Sequence, residues 1–163
     1  MGVYYDAFKA ISKTKQLHHN DAQLGVAKLL DTFLTTCVIN HKPGFFRRHR
    51  PWFGAYIHGS VGTGKTMLMD VIPNVLSPFE YKVKRYHFLE FIQHARTSRV
   101  SLTNKDVILL DELQVVDIAD AMTLRGVMER VDRGGGWMML TGNRHPDDLY
   151  RDGPQRATFL PTI

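Results

Sequence analysis

Two kinds of apolar patterning alternate along the chain. Val107-Ile108-Leu109-Leu110 and Trp137-Met138-Met139-Leu140-Thr141 are short unbroken runs of the kind expected for strands buried on both faces. Tyr81 to His87 alternates as a strand does, and a shorter apolar run precedes a glycine-rich stretch at residue 59. Between these runs the apolar positions recur at helical spacing. Val26, Leu30, Phe33, Leu34, Cys37 and Val38 follow Asn20-Asp21-Ala22-Gln23, which resembles a capping box. Met67, Leu68, Met69, Val71 and Ile72 form a second apolar helix, Phe88 to Arg96 a third, and Leu124, Val127, Met128 and Val131 share the face of a fourth. Punctuation falls between the elements: Pro43-Gly44, a turn at Pro73 and Ser77-Pro78, Asp117 or Asp120 as a helix cap, Gly134-Gly135-Gly136 as a stop, and a helix start at Pro146 or Asp147. Strands alternating with helices through short turns predict an α/β fold, a mostly parallel sheet with helices on both faces. Residues 1–19 carry few strong signals and read as a loosely packed lead-in to a domain over 20–163.

The chemistry concentrates in Ala55 to Thr66, Ala-Tyr-Ile-His-Gly-Ser-Val-Gly-Thr-Gly-Lys-Thr. It fits Gly-x-x-x-x-Gly-Lys-[Ser/Thr] with a strand pattern before it and a helix pattern after it, the context a P-loop requires. In such a loop Gly59, Ser60, Val61, Gly62, Thr63 and Gly64 wrap a phosphate chain with backbone N–H groups, and glycines leave that backbone bare and permit positive φ. Lys65 would reach the β/γ oxygens and the Thr66 hydroxyl is a ligand suited to Mg²⁺. The bland alternative is a glycine-rich turn that binds nothing.

Phosphate binding alone is not hydrolysis. Asp111 and Glu112 close a buried strand, where ligands collect in open α/β sheets. Asp111 stands where a Walker-B carboxylate would hold Mg²⁺ jointly with Thr66, and Glu112, expected to point the other way, would act as general base on the attacking water. Asn143 ends the next buried strand, where an amide can position both water and γ-phosphate, although a turn-forming Asn would look the same.

Composition narrows the picture in a few places. The 163 residues are 44% hydrophobic, enough for one globular core, and no apolar run approaches the roughly 20 residues of a membrane span. Met-Gly-Val-Tyr-Tyr-Asp has no apolar signal region, and the single cysteine, Cys37, cannot form an internal disulfide. These features fit a soluble protein in a reducing, cytoplasmic compartment, with Cys37 as a buried thiol. The eight histidines are scattered without metal-ligand spacing. Net charge is +5, and Phe45-Phe46-Arg47-Arg48-His49-Arg50-Pro51-Trp52 interleaves aromatics with cations, a weak pointer to nucleic acid that a solvated basic loop would equally satisfy.

Taken together the motifs resemble one family. Gly59 to Asp70, then Arg85-Tyr86-His87-Phe88 with Phe91 and His94, resembles the ZapE-type ATPases of bacteria and their mitochondrial homologues. Asp111-Glu112-Leu113-Gln114-Val115-Val116-Asp117-Ile118-Ala119-Asp120-Ala121-Met122 is similar to that family's Walker-B signature. Thr141-Gly142-Asn143-Arg144, Pro146, Leu149-Tyr150, Gly153, Gln155-Arg156 and Phe159-Leu160-Pro161 continue the match, which runs from about Asn20 to Ile163. The resemblance implies a three-layer, AAA+-like P-loop NTPase fold, ATP with Mg²⁺ as cofactors, assembly into a homo-oligomeric ring, and action on a protein partner of the division ring or of a respiratory complex. It casts Lys65 and Thr66 as Walker A, Asp111 and Glu112 as Walker B, Asn143 as sensor 1 and Arg156 as an arginine finger. The family pattern also includes a final core strand and a lid with a second sensor arginine, which residues up to Ile163 do not supply, and usually has Ser where this chain has Gly142. Three readings follow: an ATP hydrolase that remodels a protein in the cytoplasm or in mitochondria, a nucleotide-binding module with little turnover, and an ATPase associated with nucleic acid.

Overall fold

A computed structural model describes residues 2–14, 21–40, 53–97, 102–151 and 153. The basic-aromatic cluster around Arg47 and the predicted finger Arg156 lie outside the described residues. The chain divides into two compact units, residues 1–52 with 62–81, and residues 53–61 with 82–163.

The second unit holds a sheet of strands β1 (Gly54–His58), β2 (Lys82–His87), β3 (Asp106–Asp111) and β4 (Trp137–Gly142). Their order is β1-β4-β3-β2 and every pairing is parallel, as the continuous apolar runs predict. β3 and β4 are buried along nearly their whole length because each is flanked by strands on both edges. Helix α4 (Phe88–Thr97) and helix α5 (Ile118–Gly134) pack together over one face, where Phe88, Phe91, Ile92, Leu124 and Val127 close on Ile108, Leu110, Met138 and Leu140. Asp117 is the cap of α5, accepting from the Asp120 N–H at 2.7 Å, and Gly135 ends the helix in the left-handed conformation at φ 78°. Arg96 in the last turn of α4 donates to Asp120 in the first turn of α5 at 2.8 Å, tying the two helices together.

The first unit is helical. Helix α3 (Lys65–Leu76) opens at the glycine-rich loop and runs through Pro73 rather than turning there. Proline removes one N–H near the helix end, yet Ser77 N–H still bonds the Pro73 carbonyl, and the turn falls at Ser77–Phe79 instead. Residues 3–14, read from sequence as a loose lead-in, form helix α1 (Val3–Thr14), with Tyr4 and Phe8 fully buried. Helix α2 (Asp21–Phe33) continues into a π-helical stretch, Leu34–Ile39, and buries Ala27, Leu30, Leu34 and Val38. Cys37 on that stretch is half-buried, less than expected, and desolvation pushes its thiol pKa up. The extension makes Asp21–Ile39, 19 residues, the one described helix long and apolar enough to cross a membrane by length and composition alone, with Asp21, Lys28 and Asp31 interrupting its apolar run. Its Asp31 carboxylate argues for packing within the unit: one oxygen accepts the backbone N–H of Tyr4 at 2.9 Å and of Tyr5 at 3.1 Å, capping α1.

Candidate functional site

Parallel strands all end on the same edge of the sheet, so register decides what meets there. His58 is level with Gly142, Leu110 with Leu140, and His87 with Asp111. Gly59 N–H extends the β1–β4 ladder by one bond, donating to the Gly142 carbonyl at 3.2 Å. The sheet thus brings the start of the glycine-rich loop, Asn143, and the Asp111-Glu112 pair to one carboxyl edge, which is where open α/β sheets bind ligands. Asn143 is exposed there.

Asp111 is held from two sides. Arg85 of β2 donates through Nε to one carboxylate oxygen at 2.5 Å, and the Thr141 hydroxyl of β4 donates to the other at 3.2 Å. Its side chain is 18% exposed, so the carboxylate is oriented but still reaches solvent, and each oxygen keeps a second lone pair. Such a carboxylate suits a hard, hydrated cation.

The expectation that Glu112 points away by strand alternation needs amending. The strand stops at Asp111, and Glu112 takes a left-handed backbone at φ 57°, a conformation that costs a non-glycine residue about 1–3 kcal/mol. Thr141 holds it there. The hydroxyl accepts Glu112 N–H at 3.2 Å, and the Thr141 carbonyl accepts Leu113 N–H at 2.6 Å. The Glu112 side chain is 72% exposed and meets His87 Nε2 of β2 at 2.9 Å.

The loop itself contributes Gly62 and Gly64, both at φ 82°, which is the conformational freedom the motif requires. Gly64 is the N-cap of α3, so Lys65 and Thr66 occupy the first turn of a helix whose amino-terminal N–H groups favour anions. Lys65 and Thr66 belong to the first unit, Asp111, Glu112 and Asn143 to the second.

These residues sit in a chain whose positions 6–163 match the family model of AFG1-like ATPases. The chain belongs to the AFG1-like ATPase family. It is 39% identical over 131 residues to the cell division protein ZapE of Escherichia coli K12, an alignment that covers 71% of this chain and 34% of that protein. The chain therefore spans about a third of that relative's length. Among solved structures, DnaI superposes with a TM-score of 0.65 at 18% identity, covering 88% of this chain and 78% of that one. AMPPCP-bound DnaA from Aquifex aeolicus gives 0.60 at 19% identity, covering 88% and 45%. Identities this low establish a shared P-loop ATPase fold.

In this AFG1-like chain, several residues that sequence reasoning assigned no role turn out to shape the site. Arg85 and His87 reach the two acidic side chains from the neighbouring strand, a pairing set by β2–β3 register. Tyr56 donates its hydroxyl to the Arg144 carbonyl at 2.8 Å, fixing the turn that carries Asn143, and burial pushes its pKa up to about 12. A Cβ at position 142 would meet the Tyr56 hydroxyl as that ring now lies, so a larger residue there needs the phenol to shift. His58 and His145 meet edge to face with ring centroids 4.9 Å apart beside the same turn.

Thr141 is the hinge of this arrangement. Thr141→Val keeps the shape but leaves the Glu112 N–H and one Asp111 oxygen without that partner, which is expected to cost about 1–3 kcal/mol in urea unfolding. Thr141→Ser, which retains the hydroxyl, should recover most of the loss; equal losses in the two variants would show that the methyl group matters instead.

Proposed function

We propose that this chain is the catalytic core of a Mg²⁺-dependent ATP hydrolase that uses nucleotide energy to act on a protein partner. The observation carrying most weight is the left-handed pair Gly62 and Gly64 leading straight into an α3 that begins at Lys65. In this reading Gly59 to Gly64 wrap the phosphates and Lys65 neutralises the β/γ oxygens. Thr66 and Asp111 would hold Mg²⁺, which supplies charge neutralisation on the phosphates when bound. Glu112 takes a proton from the attacking water, and Asn143 orients that water. The His87 contact holds the Glu112 side chain while the Thr141 bonds fix its backbone.

A protein partner is supported by the relative in Escherichia coli, described as a cell division protein. The nucleic-acid reading has the net charge of +5 behind it. Phosphate release measured with and without single-stranded DNA separates the readings. Steady turnover indifferent to DNA supports the proposal, strong stimulation by DNA replaces the partner, and nucleotide binding without turnover reduces the chain to a binding module.

Arg156 is proposed as a group that one copy supplies to the γ-phosphate held by its neighbour, where a guanidinium can be worth roughly 10³-fold in rate. Mixing inactive Lys65→Ala and inactive Arg156→Ala chains is then expected to restore partial turnover, because the first lends its arginine to the intact loop of the second. Full activity of Arg156→Ala alone, at concentrations where the parent is oligomeric, would remove the assignment.

A further inference from the structure

The glycine-rich loop has a clamp that its own motif does not contain. Gln23, on the first turns of α2, donates its side-chain amide to the Thr63 carbonyl at 3.0 Å. The same nitrogen lies 2.7 Å from where a Cβ on Gly64 would stand, so amide and loop are in close contact. The bond falls at a soft point of the backbone. The Thr63–Gly64 peptide plane is bounded on one side by Gly64 at φ 82°, where the missing Cβ lets the plane turn over at little steric cost. In a trans peptide the carbonyl and the following N–H point in opposite directions, and no described peptide is cis. Holding the Thr63 carbonyl toward α2 therefore directs the Gly64 N–H away from α2.

Gln23 is itself anchored. Asp31, two turns further along α2, caps α1 by accepting the Tyr4 and Tyr5 N–H groups. Tyr4 in turn donates its buried hydroxyl to the Leu68 carbonyl of α3 at 2.7 Å, and burial, with Asp31 nearby, raises its pKa so that it remains a donor. Leu68 N–H closes on the Gly64 carbonyl at 3.1 Å. The hydrogen bonds thus run from loop to α2, to α1, to α3 and back to the loop.

We propose that Gln23 is a positioning residue for the phosphate-binding loop: it sets the Thr63–Gly64 peptide plane so that the Gly64 N–H is presented to bound phosphate. The inference rests on the nucleotide reading of that loop. A side chain some forty residues upstream of the motif (23 against 63) is then part of the phosphate grip.

Three chains test it: the parent, Gln23→Ala and the isosteric Gln23→Glu, each titrated with ATP and with GTP against a fluorescent ATP analogue in Mg²⁺, with melting temperature recorded without nucleotide. Losing one hydrogen bond predicts an ATP affinity about 3- to 10-fold weaker in Gln23→Ala, with the same ratio for GTP. Gln23→Glu should be weaker still, because it aims a carboxylate at a carbonyl and at the incoming phosphates. A packing role predicts the reverse order, the isostere outperforming alanine, with affinity tracking the melting temperature, and that result overturns the inference. A loss confined to ATP would place Gln23 on the base and overturn it too. Parent binding matched by both variants overturns the inference alone, whereas absence of binding by the parent overturns the nucleotide reading and the inference with it.

Discussion

Lys65→Ala is expected to abolish useful nucleotide binding while leaving the fold intact. The motif places this ammonium on the β/γ oxygens, and one hydrogen bond to a charged group contributes about 1.5–3 kcal/mol, or roughly 10- to 100-fold in affinity. The loss should exceed that single-bond figure once phosphate repulsion in the loop is no longer neutralised. Lys65 stands in the first turn of α3, whose buried face is carried by Leu68, Met69, Val71, Ile72, Val75 and Leu76. The variant should therefore unfold near the parent's urea midpoint. Equal binding of a fluorescent ATP analogue by both chains, with equal hydrolysis, would remove the loop from the site.

The two acidic residues should fail differently. Glu112→Gln preserves shape and takes away the proposed base, so ATP is expected to bind as in the parent while hydrolysis falls by roughly 10²-fold or more. On the proposed Mg²⁺ role of Asp111, raising magnesium should recover part of the activity of Asp111→Asn but none of that of Glu112→Gln. The structure sharpens the contrast. Asp111 shares its carboxylate with Arg85 and Thr141, so Asp111→Asn also leaves a cation without its counter-charge and should unfold at lower urea. Glu112 is exposed, and its backbone is held through N–H groups that Gln retains. A magnesium titration that rescued Glu112→Gln and not Asp111→Asn would exchange the two roles.

What could be read from the sequence was whatever is written in local pattern. β3 and β4 announce themselves because strands paired on both edges need unbroken apolar runs, and α5 because its cap, face and glycine stop are all local. The loop was legible because wrapping phosphate restricts residue types at fixed spacing. The rest depended on long-range partners. Helix α1 looked featureless because its buried set, Tyr4, Tyr5, Phe8 and Ser12, mixes polar atoms into the packed face and is completed by partners far along the chain. Gln23 sits where a capping-box residue would, and nothing local reveals its bond to Thr63. Arg85 and His87 belong to a strand of alternating exposure, and only the register His87 to Asp111 shows that they meet the acidic pair. Pro73 was read as a break because a proline forbids its own N–H bond; near the last turn of a helix that loss is small enough for packing to override.

Calorimetric titration of the chain with ATP, ADP and AMP, each with and without Mg²⁺, bears most directly on the central claim. A loop that grips β/γ phosphates predicts one site per chain, with ATP and ADP binding at least about tenfold more tightly than AMP and ATP gaining further from the metal. Affinities that do not distinguish ATP from AMP, or no heat with any of the three, would contradict it.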